Sequence, residues 1–384
     1  MRTALEILLW ACAGLIVWTQ VGYALALALL ARLLGPRRAA PAAAEGELPS
    51  LSLIIAAHDE QEVIAAKVAN ALAQDYPRER LQVIVSCDGC SDATAERARG
   101  AGADLVLELP RGGKIRAQDA AVQRASGELV AFSDANSSWE PGAARELAGA
   151  FADPAVGYAC GSVRFVQAAS GAQAGNQEGV YWAYELAVRA LESRLSSITA
   201  GNGAIYATRR EAYIVVDPIM GHDLSLPFNM VKRGRRAVFV PGARATEKMV
   251  PSLGGEFARK RRMMSHTWPI LLRGGMLSPR GYTPGYAAMI VSHRLLRYTS
   301  PALHLLLLAA SIALVAQGAG ALYVAVLALQ LALLLAAALA GAVRLRPLLI
   351  ARYYVLTTAS PAAGLWDWLM HGTPATWDAA EGTR

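Results

Sequence analysis

Cysteine is scarce in this chain of 384 residues: there are four, and only Cys87 and Cys90 lie close together, in a C-x-x-C whose inner residues are Asp88 and Gly89. No second cysteine pair exists to complete a tetrahedral zinc site, so the plain reading of the two is a turn built from small residues. The spacing G-x-x-x-x-G-K-[ST] is also missing, although Arg111, Gly112, Gly113 and Lys114 imitate it, which argues against a P-loop ATPase. Lys114 is left with two readings, a phosphate contact or a solvated lysine in a glycine turn. Nor does the formal charge of +7 form a nucleic-acid surface, because much of the excess borders apolar segments, where membrane lipid is the simpler partner. No nucleic acid is expected.

What is present in quantity is apolar sequence, 54% of the chain and unevenly spread. Ile7 to Leu30 is long enough for a helix of about 20 residues to span a bilayer, and it predicts an N-terminal anchor over 1–34. A cleaved signal peptide is the competing reading, but the run exceeds the ~7 to 15 apolar residues of a signal core. Pro301 to Val343, broken by Gln317, Gly318, Ala319 and Gly320, predicts a transmembrane hairpin over 301–343. A third stretch, Leu348 to Met370, carries Arg352, Ser360, Pro361 and Asp367. With its tail (344–384) it crosses the membrane, re-enters it or lies along its surface. Arginines at Arg32, Arg37 and Arg38, and again at Arg344 and Arg346, place those ends in the cytosol, and the middle of the protein with them.

An Ala/Pro/Gly/Glu linker is predicted over 35–49 and a soluble domain over 50–275. Short apolar runs at Leu51 to Ala57, Leu81 to Ser86, Ala103 to Leu109 and Leu129 to Ser133 alternate with helix-like stretches. That order predicts an α/β domain, a mainly parallel sheet flanked by helices, with ligands at the carboxyl ends of its strands. The residues leaving those ends are His58, Asp59 and Glu60, then Cys87 to Asp92, then Ser133 to Asn136. Any one acidic residue there can be a helix cap, and Asp92 reads so, but three such sites on successive strands point to a shared binding site. After the domain, 276–300 holds Ser278 to Tyr286, either a mobile gate or a plain linker, and an amphipathic interfacial stretch, Met289 to Tyr298.

Asp134 and Asn136, one residue apart after a strand end, can point oxygens to one side and share a magnesium or manganese ion, which would bind a nucleotide diphosphate. Asp223, with His222 before it, is either the N-cap of a following helix or, folded over that site, a general base for an incoming hydroxyl. Arg259, Lys260, Arg261 and Arg262 read both as a membrane-surface patch and as donors to a departing phosphate.

In this order the motifs resemble those of membrane-bound family 2 glycosyltransferases, the group that includes bacterial cellulose and poly-N-acetylglucosamine synthases and their shorter relatives. Ala56, Ala57, His58, Asp59 and Glu60 are similar to its P-A-Y-N-E segment, and Cys87 to Asp92 to its D-D-G-S-T-D segment. Gly113, Lys114 and Asp119 resemble G-K-x-x-A-x-N, and Asp134, Ala135 and Asn136 occupy the D-x-D position. Tyr181, Trp182, Tyr184 and Glu185, and then Gly201, Asn202, Gly203 and Ala204, resemble elements that border the acceptor sugar. His222 and Asp223 match the E-D element.

The resemblance implies a GT-A fold and inversion at the anomeric carbon by direct displacement, with a UDP-sugar donor and Mg2+ or Mn2+. It implies Asp223 as base, Arg262 at the leaving group, and nucleotide contacts from Ala57, His58, Glu60, Asp88, Lys114, Asp134 and Arg259. Tyr181, Trp182, Gly201, Asn202, Gly203 and His222 would then meet a lipid or saccharide acceptor in or at the cell's inner membrane, with the catalytic domain in the cytosol. Departures bear on this reading. The family's Q-x-x-R-W ends here as Arg262 and Met263, which argues against processive synthesis and against a ceramide-glucosyltransferase-like enzyme. Asp59 and Cys87 replace an asparagine and an aspartate, so contacts to the nucleobase can differ. Two alternatives stand beside it. One is a processive synthase that secretes its polymer, whose conduit needs an accessory subunit or an oligomer; the other is a non-catalytic membrane scaffold with a degenerate nucleotide domain.

Overall fold

The computed structural model describes residues 1–35, 48–166, 175–248, 253–343 and 345–376; the expected linker falls almost wholly outside them, as do Arg37, Arg38 and Arg344. The chain begins with Arg2–Leu34 (α1), a helix of 33 residues with a mean hydropathy of 1.8, loosened by a π-helical turn at Trp18–Gly22. Most of its surface faces outward, but Tyr23 is buried and its hydroxyl donates to Glu192 Oε1 at 2.7 Å, tying the helix to the domain.

Leu51–Ala57 (β1) is buried at every residue, which is why it reads as an unbroken apolar run: helices cover both of its faces. It pairs in parallel with Leu81–Asp88 (β2) on one side and with Leu129–Asp134 (β4) on the other, and β2 pairs in parallel with Leu105–Leu109 (β3). Beyond β4 the sheet turns mixed through Ser138–Trp139 (β5), Val156–Val166 (β6), Tyr206–Arg209 (β7) and Arg236–Lys248 (β8). The eight strands lie in the order β3-β2-β1-β4-β7-β6-β8-β5, with β7 antiparallel to both its neighbours.

Because side chains alternate along a strand, β1 serves two cores. Leu51, Leu53 and Ile55 pack with Ile64 and Val68 of Ile64–Leu72 (α2), Ala98 of Thr94–Gly100 (α3), and Leu147 beyond β5. Ile54 points the other way, with Phe132, Tyr158, Tyr206, Ala121 of Lys114–Val122 (α4) and Leu226 and Met230 of a later helix. Two more helices, Ala143–Gly149 (α5) and Gly175–Leu195 (α6), precede that one, His222–Lys232 (α7).

Leu253–Leu272 (α8) leads out of the domain. Pro284–Tyr298 (α9) and Ser300–Ala316 (α10) are bent by 64° at their junction, and Ala321–Leu339 (α11) has a mean hydropathy of 2.5. Among the described residues α1 and α11 are long and apolar enough to cross a membrane, and the bent pair adds a third candidate if it acts as one span. Leu9 and Cys12 of α1 pack on Leu307, Ala310 and Leu314 of α10. The last stretch forms one helix of 26 residues, Arg346–His371 (α12), which is not among those candidates; it lies on α8. There Trp268 Nε1 donates to the Pro361 carbonyl at 2.8 Å, Arg261 forms a two-armed ion pair with Asp367, and a Cβ at Gly364 would meet Met264 at 2.5 Å.

Candidate active site

The carboxyl ends of β1 and β4 open on one cavity of about 840 Å³, and Lys114 lines it beside them. At the end of β2, Asp88 is 1% exposed, and its carboxylate accepts from the backbone N–H groups of Gly112 (2.6 Å) and Gly113 (2.9 Å). It therefore holds the glycine turn that starts α4 and presents Lys114 to the cavity. That turn leaves no room for side chains: Gly113 has φ 96°, and a Cβ there would lie 2.1 Å from the carbonyl of Ala375, in the segment after α12.

Lys114 Nζ ion-pairs with Asp134 Oδ1 at the end of β4. Asn136 follows on the same rim, and Gly203 faces both charged groups, since a Cβ there would sit 3.4 Å from Lys114 Nζ and 3.8 Å from Asp134 Oδ2. Backbone alone on that side leaves a cradle in which a carboxylate and an amide oxygen can meet a hard cation.

Asp223 stands in the first turn of α7 and lines the same cavity, while its backbone carbonyl accepts from Gly201 N–H at 2.6 Å. Burial raises its pKa, the Asp134 charge adds to the rise, and Lys114 opposes it. His222, next to it, is buried with Nδ1 2.8 Å from the Tyr206 hydroxyl and Nε2 3.2 Å from the Tyr213 hydroxyl. Burial, then the Lys114 charge, lowers its pKa to about 3, so it is a neutral ring supporting the helix start.

Asn202 is also engaged internally, donating to the Gly161 carbonyl (2.6 Å) and accepting from Ile205 N–H (2.9 Å), while Gly201 lies against Tyr158, whose hydroxyl a Cβ would meet at 2.0 Å. Trp182 donates from Nε1 to the Val163 carbonyl at 2.5 Å, and its ring stacks edge-on with Phe165. The Tyr181 side chain lies outside the described residues.

Ala57 closes β1, and His58 Nδ1 donates to the Asp88 carbonyl at 2.8 Å. Glu60 lines the cavity and its N–H donates to Thr94 Oγ1 at 2.8 Å. Asp92, expected as a cap, stands one residue before the N-cap Ala93 and accepts from Thr94 N–H at 3.0 Å and from Gln61 N–H at 3.1 Å. The basic run of α8 divides. Arg259, Lys260 and Arg262 line the cavity, with Arg259 held by both oxygens of Glu256 at 2.9 Å, whereas Arg261 turns away to Asp367.

Glu247 and Arg189 are among the lining residues that went unread in the sequence. Glu247 of β8 lines the cavity, raised by burial and by Asp134, with the buried Lys67 lowered by burial beside it. Arg189 of α6 is 3% exposed, sits over the Trp182 ring at 5.7 Å and also lines the cavity. Neither carries a local motif; each is brought in by sheet order and helix packing. The cavity continues past Arg297 and Ser300 to Tyr353, Tyr354 and Thr357 of α12, so it joins the strand ends to the apolar helices.

The sequence model described as "Glycosyltransferase like family 2" matches residues 49–265. The chain is 26% identical over 231 residues to an N-acetylglucosaminyltransferase of Rhizobium leguminosarum bv. viciae, covering 56% of this chain and 54% of that protein. A second N-acetylglucosaminyltransferase, from Mesorhizobium japonicum, is 28% identical over 232 residues, again 56% of this chain and 54% of the relative. The match thus spans about half the length of these curated relatives. Among solved structures, a mannosyltransferase from Pyrobaculum calidifontis, determined with GDP-Man and Mn2+, superposes with a TM-score of 0.72 at 23% identity, over 95% of this chain and 99% of its own. At that identity the likeness is one of fold, a GT-A-type sheet and its helices.

Proposed function

This chain belongs to the glycosyltransferase family 2 group, and from that premise we propose that it moves a sugar from a nucleotide diphosphate sugar to a membrane-associated lipid or saccharide acceptor, with inversion. The observation that carries the reading is one cavity whose lining includes Lys114 and Asp134, Asp223, and Tyr353, Tyr354 and Thr357 of α12. A donor diphosphate fits beside Lys114 and Asp134, and an acceptor arriving from the membrane fits beside α12.

In the proposed reaction Asp223 takes the proton of the acceptor hydroxyl as its oxygen bonds to the anomeric carbon. The bond from that carbon to the phosphate oxygen breaks, and its electron pair leaves with the nucleoside diphosphate. Arg262 and Lys114, which both line the cavity, would meet that departing charge as donors. The raised pKa of Asp223 makes it a stronger base than an exposed aspartate. Asp134 and Asn136 would hold magnesium or manganese, the ion with which the Pyrobaculum enzyme was solved being manganese. Such a cation supplies neutralisation of diphosphate charge.

The donor we propose is a UDP-sugar, in keeping with the N-acetylglucosaminyltransferase relatives; the GDP-Man of the structural neighbour makes a GDP-sugar the second donor to try. The cytosolic face of the inner membrane is the proposed location, with Arg32 at the end of α1 on that side. The test is release of nucleoside diphosphate by the detergent-solubilised chain: it requires Asp223, and loss of turnover in Asp223→Asn with donor binding retained is the expected result. Equal turnover by that variant overturns the base assignment.

A further inference from the structure

Among the side chains of metal-ligand type at the ends of β1 and β2, His58, Asp59, Cys87 and Cys90 are given no step in the transfer chemistry above. Asp59 and Cys87 are among the positions where the chain departs from the pattern it resembles. The fold brings three together: one ligand atom each from His58, Asp59 and Cys90 lie within 4.8 Å of one another.

Their orientation is fixed from outside the cluster. His58 Nδ1 donates to the Asp88 carbonyl at 2.8 Å, so the ring is held and Nε2 is the nitrogen turned toward Asp59, with Oδ2 at 3.6 Å. That is near the edge of about 3.4 Å between nitrogen and oxygen ligands on a tetrahedral zinc ion with bonds of ~2.0 to 2.2 Å. A backbone acceptor on the far ring nitrogen is also the arrangement that orients a metal-bound histidine. Asp59 is the one described non-glycine residue in the left-handed region, φ 50°; its Oδ1 accepts from Ser91 N–H at 2.7 Å, and its Oδ2, which faces the histidine, also accepts from the Ser91 hydroxyl at 3.3 Å. Cys87 is buried, and the Cys90 thiol donates to the Ala57 carbonyl at 3.5 Å.

We infer that His58, Asp59 and Cys90 form a binding site for zinc or a similarly borderline-soft divalent cation, separate from the hard-cation site at Asp134 and Asn136. Imidazole, carboxylate and thiolate together select such an ion over magnesium. On binding, the Cys90 Sγ–H proton passes to solvent and the sulfur pair is shared with the cation. Three protein ligands leave a further coordination position for an exogenous donor. The ion would pin the turn after β1 to the turn after β2, beside the cavity that His58 helps to line.

The test is titration of the chelator-stripped, full-length chain in detergent with cobalt(II), read by absorption. The expected result is a thiolate-to-cobalt charge-transfer band with tetrahedral visible bands, saturating at a single equivalent and bleached by zinc. Cys90→Ser and His58→Ala abolish the band. Asp134→Ala, Cys12→Ser and Cys160→Ser keep it. Asp59→Asn guards against misfolding, because the amide oxygen can still accept from Ser91: it is expected to weaken the band while the apo protein melts as wild type does. No band in the wild type, or a band that survives Cys90→Ser, overturns the inference; loss of the band in Asp134→Ala would assign the ion to the other site and overturn it equally.

Discussion

Lys114 Nζ is ion-paired with the carboxylate of Asp134, so the cation nearest the donor site rests on the oxygen proposed to receive a metal. The lysine charge and a divalent ion therefore compete for Asp134, and arrival of a diphosphate gives Lys114 a second anion to hold. Lys114→Met is expected to tighten manganese binding in the absence of nucleotide, measured by electron paramagnetic resonance titration. The same change is expected to lower kcat/KM by about 10²–10³-fold, the scale of losing one charge-stabilising donor. Weaker manganese binding in Lys114→Met contradicts this competition.

Asp223→Asn keeps the volume of the side chain and removes the base. We expect kcat to fall by about 10²–10⁴-fold with little change in donor KM. The pH profile follows from the same surroundings. Burial and the Asp134 charge raise Asp223 against the pull of Lys114, and the base works only when ionised, so activity falls as pH drops through a pKa above the ordinary aspartate range. In Lys114→Met the opposing pull is gone, and the acid limb moves to higher pH. An acid limb that stays in place in that variant separates Asp223 from the observed titration.

His222 gives a stability signature of opposite origin. Its folded pKa is lowered to about 3 by burial, while an unfolded histidine titrates near about 6.5, so the unfolded state binds the extra proton between those values. The sign is then fixed: this residue's share of stability is complete above about pH 6.5 and is lost as pH falls toward 3. His222→Asn is expected to flatten the midpoint-against-pH curve in that window, measured by thermal unfolding in detergent. An unchanged slope contradicts a neutral, buried ring.

Much of the fold was legible because the central strands are covered on both faces. The apolar runs at 51–57 and 129–133 match β1 and β4 to within a residue, and the run at 81–86 falls two residues short of β2 because Cys87 and Asp88 continue the ladder. β6, β7 and β8 were not legible: they pair out of sequence order, and β8 carries Arg236, Arg244, Glu247 and Lys248, which hide its period. The same non-local order hid Glu247, and it hid the approach of Cys90 to His58, which only the parallel pairing of β1 with β2 explains. At the site, a strand end pointed to Asp134, a glycine turn to Lys114 and a candidate helix start to Asp223. What sequence could not give was that Asp88, Asn202 and His222 spend their polar atoms inside the protein.

Gly201 has a steric role that can be isolated. A Cβ there would lie 2.0 Å from the Tyr158 hydroxyl, in a core where that ring is fully buried. Gly201→Ala is expected to destabilise by about 1–3 kcal/mol through overpacking. Tyr158→Phe in the same chain removes the clashing oxygen and restores part of the loss, a coupling that thermal unfolding of the double-mutant cycle reads directly. Additive effects of the two changes contradict the contact.

The central claim is tested most directly by nucleoside diphosphate release from the purified chain across a panel of UDP- and GDP-sugars, with manganese or magnesium and a lipid extract as acceptor. Wild type, Asp223→Asn and Asp134→Ala are compared. The account predicts that the wild type turns over a nucleotide sugar and transfers its sugar to extractable lipid or saccharide, and that both variants are silent. Turnover that persists unchanged in Asp223→Asn and Asp134→Ala, or no turnover of any donor by a folded wild type supplied with acceptor, would contradict it.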